Sequence, residues 1–263
     1  MIKVNYLTKK YKDFCLHLED IQLTPGVTLL LGPNGAGKST LLRILSTAAS
    51  GDDEDIFYGY LQTRDRLPTI RSQIGYVPTQ TQAYDHMTVR GFLSYMGTLK
   101  NIANTSQISH YLHLFDLQAL EKYKIRKLSE GQKQKVILTQ AFLGNPHYIF
   151  LDEPLMYLDI EERNLLVQII GKLSTRVTFV IATHDINEWQ GIADNILQLS
   201  KGGCSFFGSI NLWLQAADTR VWEGYIKEKE LPDFIEKGAI LKKTPAKKER
   251  RSEEHTSELQ SLR

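Results

Sequence analysis

Cysteine is almost absent. Cys15 and Cys204 are the only two in 263 residues, too few for a disulfide framework, so a reducing compartment is the default expectation. No apolar run approaches the roughly 18 residues that a membrane span needs. The start, M-I-K-V-N-Y-L-T-K-K, lacks the continuous apolar stretch of a secretory signal. The seven histidines form no metal-ligand pattern. His110 and His113 lie three apart without cysteine or acidic company, which reads as helix surface. There is also no dominant charge sign. The formal net charge is +2, yet residues 237 to 251 hold seven Lys/Arg against Glu249 alone, so that segment is +6 and the rest is −4. A basic tail on a mildly acidic body makes nucleic acid an unexpected partner.

Beyond these absences lies an ordinary globular chain, 42% hydrophobic and 24% charged, long enough for one large domain or two small ones. No fixed-period repeat is visible. Residues 1 to 31 read as strands and turns, ending in V-T-L-L-L (Val27 to Leu31), a short buried strand after the turn pair Pro25-Gly26. Leu41, Leu42 and Leu45 then follow helical spacing. From about Met87 to Leu128 the spacing is again helical, through Phe92, Tyr95, Met96, Ile108, Tyr111, Leu112 and Phe115. Tyr148 to Leu151 and Val177 to Ala182 read as apolar strands. Strands alternating with helices predict an α/β fold with a largely parallel core sheet.

Three motifs carry chemistry. Gly32, Pro33, Asn34, Gly35, Ala36, Gly37, Lys38, Ser39 and Thr40 spell G-P-N-G-A-G-K-S-T between an apolar strand and a helical pattern, the context a phosphate-binding loop demands. The glycines let backbone N–H groups approach phosphates, and the following helix points its positive end at the anion. Lys38 places a charge on the β- and γ-phosphates. Ser39 offers a hydroxyl to Mg²⁺, and Thr40 can contact the α-phosphate. Tyr148 to Glu153, Y-I-F-L-D-E, is an apolar strand ending in two carboxylates. Asp152 suits Mg²⁺ and Glu153 suits polarising an attacking water, delivered to the sheet edge where open α/β folds bind ligands. Leu128, Ser129, Glu130, Gly131 and Gln132 spell L-S-E-G-Q about twenty residues before Asp152. Ser129 can cap a helix, and Gly131 permits close backbone approach to a phosphate.

L-S-E-G-Q resembles the L-S-G-G-Q signature of the ATP-binding cassette (ABC) family, and with the other two motifs the resemblance spans about residues 1 to 215. It implies a P-loop NTPase α/β core, an antiparallel β-subdomain near the N-terminus and an inserted α-helical subdomain at about 87–140. It implies ATP and Mg²⁺ as cofactors. Glu153 and His184, in T-H-D after the Val177 to Ala182 strand, would be catalytic. Tyr11, in K-K-Y, would stack on adenine; the plain alternative is a strand tyrosine in a small sheet. Asp159, after Leu158, would lie in the loop coupling the two sites of a dimer. Leu128 to Gln132 would act on the partner's ATP. Partners would be a second ABC ATPase chain, identical or related, and a separate transmembrane permease subunit docked near Tyr84, Met87 and Phe92, each of which could equally be core. The implied location is cytoplasmic, peripheral on the inner face of the cell membrane. A soluble ABC ATPase without a transport role, or a poorly hydrolysing nucleotide-gated subunit, are the alternatives.

Departures from the family pattern are specific. I-G-Y-V-P-T-Q places Thr79 where the family has its glutamine and Gln80 one later, so either Gln80 reaches Mg²⁺ through a shifted loop or the sensor is altered. Met156-Tyr157 replaces the usual small residues before L-D, and the stretch from Tyr11 to Gly32 is shorter than usual. Residues 216–245 resemble the start of an accessory segment of export-type ATPases, read across Val221 to Leu241 as strand, helix, strand and truncated. Residues 246–263 read as a disordered or artefactual tail. Within it, residues 251–261, R-S-E-E-H-T-S-E-L-Q-S, resemble a translated sequencing adapter, the alternative being a natural charged tail.

Overall fold

The computed structural model describes residues 1–79, 84–102 and 106–216, together with the short strands Trp222–Glu223 and Gln260–Ser261. Gln80 and nearly all of Val221 to Leu241 lie outside the described residues. Met1–Trp213 is one compact unit and Leu214–Arg263 a second.

The first unit opens with the hairpin β1 (Ile2–Tyr11) and β2 (Phe14–Leu23), then β3 (Gly26–Leu31) and α1 (Lys38–Leu45). Next come β4 (Asp53–Tyr58), β5 (Leu61–Gln62), α2 (Leu67–Ser72) and β6 (Ile74–Val77). Helices α3 (Val89–Leu99), α4 (Ser106–Leu114) and α5 (Glu130–Phe142) follow, with 3₁₀ turns at Gln118–Leu120 and Ile125–Lys127. The chain continues through β7 (Tyr148–Asp152), α6 (Ile160–Leu173), β8 (Thr178–Ala182), β9 (Asn195–Ser200), β10 (Gly203–Ser209) and α7 (Ile210–Ala216). The second unit contains the ladder of β11 (Trp222–Glu223) and β12 (Gln260–Ser261), paired Trp222↔Ser261 and Glu223↔Gln260. That pairing puts two residues of the tail in a strand, where the sequence predicts no regular structure.

One ten-stranded sheet runs β5-β4-β1-β2-β10-β9-β3-β8-β7-β6. Its β9-β3-β8-β7-β6 part is parallel and its β5-β4-β1-β2 part antiparallel. A single parallel pair, Gly203↔His17, joins β10 to β2. The parallel strands are apolar on both faces because helices cover both. Val27, Leu29, Ile149, Leu151, Phe179 and Ile181 face one apolar cluster, and Leu30, Phe150, Val180 and Ala182 face the other, which contains Leu41, Leu42 and Leu45 of α1. This two-residue period puts Asp152 on the α1 face with Phe150.

The helical segment builds no core of its own. Val89, Phe92, Ile108, Leu112 and Phe115 join the same cluster as Ile149, Leu151 and Phe179. Thr88 caps α3, accepting from Gly91 N. Lys100, just past α3, donates to Leu143 O at 3.0 Å and Gln140 O at 3.4 Å. It sets a cation at the negative end of α5, and burial pushes its ammonium down to about 8.

Candidate nucleotide site

The loop from Gly32 to Gly37 leaves the C-terminal end of β3 and feeds α1. Gly32 has φ +144, and a Cβ there would sit 2.4 Å from Leu199 O, so only glycine lets the loop pass β9. Gly35 has φ +80, and a Cβ there would meet nothing within 4 Å. That side of the loop faces open space. Ala36 is buried and anchors the loop in the core; Pro33, Asn34 and Gly35 are exposed. Lys38 Nζ donates to Gly32 O at 2.7 Å and Pro33 O at 3.2 Å, which holds the ammonium at the loop's mouth. Ser39 and Thr40 are the next two residues of α1.

Asp152 closes β7 at 3% exposure, on the face that packs α1. Burial, and second the Asp152 charge, push the Tyr76 hydroxyl up to about 12. Glu153 follows with φ +49, a left-handed conformation rare for a non-glycine residue. Its amide donates to Ala182 O at 3.0 Å, and its Oε2 lies 3.0 Å from His184 Nδ1. The end of β8 thus delivers the histidine to the carboxylate at the end of β7. Phosphate loop, carboxylate pair and histidine all stand at the C-terminal ends of adjacent parallel strands, the ligand-binding edge of such sheets.

Mg²⁺ takes few protein ligands beside phosphate oxygens and water. The Ser39 hydroxyl, exposed in the first turn of α1, and the Asp152 carboxylate, buried at the end of β7, are hard oxygen donors of the kind Mg²⁺ takes. The described residues contain no cluster of three or more His, Cys, Asp or Glu that would cage a metal by protein alone.

Tyr11 ends β1 at 49% exposure, its ring 6.3 Å from that of Phe14. Phe14 reaches the loop itself: a Cβ on Gly37 would meet its Cζ at 2.9 Å. Phe14 is an aromatic that the sequence reading missed, because only the β1–β2 hairpin geometry brings it there.

Leu128 to Gln132 opens α5 through a reciprocal cap. Ser129 Oγ accepts from Gln132 N at 3.2 Å, and Ser129 N donates to Gln132 Oε1 at 3.0 Å. Leu128 is buried, and Glu130 pairs with Lys133 at 2.8 Å. Among the described residues no hydrogen bond or ion pair joins this motif to Gly32 to Thr40. Asp159 caps α6 by accepting from Glu162 N at 2.8 Å. Beside it Met156, Tyr157 and Ile160 are exposed, Ile160 at 77%. Phe92 lies in the core, Met87 is half-buried, and Tyr84 is exposed against the Tyr95 ring. Thr79 is exposed.

The family model described as ABC transporter matches residues 20–156. The sulfate/thiosulfate import ATP-binding protein of Mycobacterium bovis is 34% identical over 211 residues, covering 77% of this chain and 59% of that one. The sn-glycerol-3-phosphate import ATP-binding protein of Bartonella quintana is 32% identical over 218 residues, covering 80% and 62%. This chain thus spans about three fifths of the length of these curated relatives. A dimeric ATP-binding cassette in a post-hydrolysis state, bound to ADP and Pi, superposes with a TM-score of 0.72 at 25% identity, covering 80% of this chain and 99% of that one. With its phosphate loop, carboxylate pair and capped L-S-E-G-Q helix on a P-loop α/β fold, this chain belongs to the ABC transporter family.

Proposed function

We propose that this chain hydrolyses ATP with Mg²⁺ in a two-site dimer and drives transport through a separate transmembrane subunit. The observation that carries the reading is the His184–Glu153 contact of 3.0 Å beside buried Asp152 and the Gly32 to Thr40 loop. The loop's N–H groups and Lys38 bind the phosphates. Glu153 polarises the attacking water, and His184 holds that carboxylate and reaches the γ-phosphate. Ser39, and Asp152 through water, would hold Mg²⁺, which would supply charge neutralisation on the phosphates. Nucleotide adenine stacks on Tyr11, whose ring lies 6.3 Å from that of Phe14.

A second chain completes the site. The capped signature at Leu128 to Gln132 makes no hydrogen bond or ion pair with its own loop among the described residues, and Met156, Tyr157 and Ile160 are exposed beside Asp159, as at an interface. The permease docks on the exposed Tyr84, Tyr95 and Leu99, which shifts the contact from buried Phe92. No helix among the described residues is long and apolar enough to cross a membrane, which suits a peripheral subunit on the inner face. Residues 1–215 form the cassette, 216–245 begin an accessory segment and 246–263 are tail; resequencing the gene from source DNA decides whether 251–261 are natural.

The test is ATP turnover and calorimetric ATP binding by the intact chain with and without Mg²⁺. Mg²⁺-dependent turnover supports the reading. Binding without turnover, alone or with a membrane partner, contradicts it.

A further inference from the structure

At the N-terminal ends of β7 and β8, opposite the edge that carries the carboxylate pair, a recess opens between α4, α6 and residues 145–147, which lead into β7. It has two adjoining lobes of about 420 and 300 Å³ that share Tyr111, Asn145, Leu173 and Arg176. Each is the size of a small-molecule pocket, about 300–1,000 Å³. β7 is five residues long, so at about 3.3 Å per residue the recess lies about 15 Å from Asp152. It is separate from the nucleotide site.

The lining is sorted along α6. Leu165, Ile169 and Leu173 recur every four residues, which stacks them on one face of the helix. With Leu114 of α4 they make an apolar wall. Gln168, Lys172 and, just past the helix end, Arg176 recur at the same interval and give the recess a polar, cationic row. Tyr111 lines both lobes and is 8% exposed, its ring 6.4 Å from that of Phe142 and 5.3 Å from that of His110. Burial pushes the Tyr111 hydroxyl up, and the Arg176 charge offsets part of that rise, which sets the guanidinium near the hydroxyl.

Gln107 of α4 fixes the floor of the recess. Its Oε1 accepts from Gly144 N at 3.0 Å, and its Nε2 donates to Asn145 Oδ1 at 3.1 Å. The Tyr111 hydroxyl donates to the same Oδ1 at 3.4 Å. With that oxygen taken, the Nδ2 group is the open end of Asn145, and it can only donate. The side chains of Lys172 and Arg176 have no hydrogen-bond or ion-pair partner among the described residues, and no described Asp or Glu lines either lobe. An apolar, aromatic wall thus stands beside donors and two cations with no negative charge to balance them. We propose that the recess binds a small aromatic carboxylate, its ring against Tyr111 and Leu173 and its carboxylate on Arg176 and Asn145 Nδ2.

The experiment is a calorimetric titration of the intact chain with three probes: naphthalene-1-acetate, the neutral naphthalene-1-acetamide, and acetate. Naphthalene-1-acetate is expected to bind one-to-one. The amide keeps the ring but not the charge and should bind about tenfold more weakly or worse. Acetate keeps the charge but not the ring and should show no saturable binding below about 1 mM. Arg176→Gln should weaken naphthalene-1-acetate by about 10–100-fold, the scale of a charge-assisted hydrogen bond. Lys122→Gln, an exposed cation outside the lining, should stay within about twofold of the parent. Both substituted positions are exposed, and a thermal melt checks that the variants fold. Saturating ATP should leave the affinity for naphthalene-1-acetate unchanged, which separates the recess from the adenine site. The amide and ATP arms need no variant and no hydrolysis. No saturable binding of naphthalene-1-acetate below about 1 mM, equal binding of the amide, parent-like binding by Arg176→Gln, or competition by ATP each overturns the proposal.

Discussion

His184 Nδ1 sits 3.0 Å from Glu153 Oε2, yet the two side chains live in different surroundings: the histidine is 79% exposed and the carboxylate 19%. Glu153 is fixed by its left-handed backbone and its bond to Ala182 O. His184 is the movable partner. His184→Ala should therefore leave ATP binding and the melting temperature nearly unchanged while lowering turnover by about 10²-fold, the lower range for a group that assists proton transfer or water positioning. Turnover and a thermal melt on the same preparation check this. A variant as active as the parent removes His184 from the mechanism.

Lys38→Ala should weaken ATP binding by about 1.5–3 kcal/mol, the scale of a charge-assisted hydrogen bond. The native ammonium already bonds Gly32 O and Pro33 O, so the measured loss is the surplus of phosphate over those carbonyls. A calorimetric titration is the measurement. Unchanged affinity contradicts the assignment of the loop.

Two glycines of that loop should fail differently. Gly35→Ala puts a methyl into open space. It should cost about 1 kcal/mol of stability for its positive φ and a larger share of nucleotide affinity. Gly32→Ala drives a methyl into Leu199 O and should cost about 3 kcal/mol or more of stability. Urea midpoints beside ATP titrations separate the two. Equal stability losses contradict the role given to each.

The phosphate loop and the F-L-D-E strand were legible because their chemistry is written in consecutive residues. The Asp159 cap has a capping-box spacing to Glu162, but from sequence Asp159 reads only as part of the coupling loop, and the cap emerges from the structure. Phe14 beside Gly37 was not legible, nor was Lys135 against Glu162, because side chains that meet only through packing leave no local pattern. The reading of Gly131 as room for a phosphate omitted the carbonyl of Tyr157 that also requires it. The sheet's continuity through the lone pair Gly203↔His17 likewise has no sequence signal. Phe92, a permease-contact candidate on the family resemblance with core as the alternative, is core because its helix turns that face onto Ile108 and Leu112.

Lys100 makes stability depend on alkaline pH. Its folded value is about 8 against an ordinary 10.5, so between those values the unfolded chain binds more protons and stability rises with pH. The rise should total up to about 3 kcal/mol. Lys100→Met should flatten it. Urea midpoints at about pH 7.5 and pH 9.5 read this directly, and a parent-like rise in the variant contradicts burial of that ammonium.

The most direct test of the two-site motor is Glu153→Gln. The change keeps shape and hydrogen-bond reach but removes the charge that polarises water and repels the γ-phosphate. Hydrolysis should fall by about 10²–10⁴-fold while ATP binding survives. With ATP and Mg²⁺ the variant should persist as a dimer, because nucleotide that is not consumed keeps the two chains joined by mass action. ATP turnover with light scattering on the purified variant is the measurement. An inactive variant that dimerises with ATP is the expected result; a variant that hydrolyses ATP as fast as the parent contradicts the account.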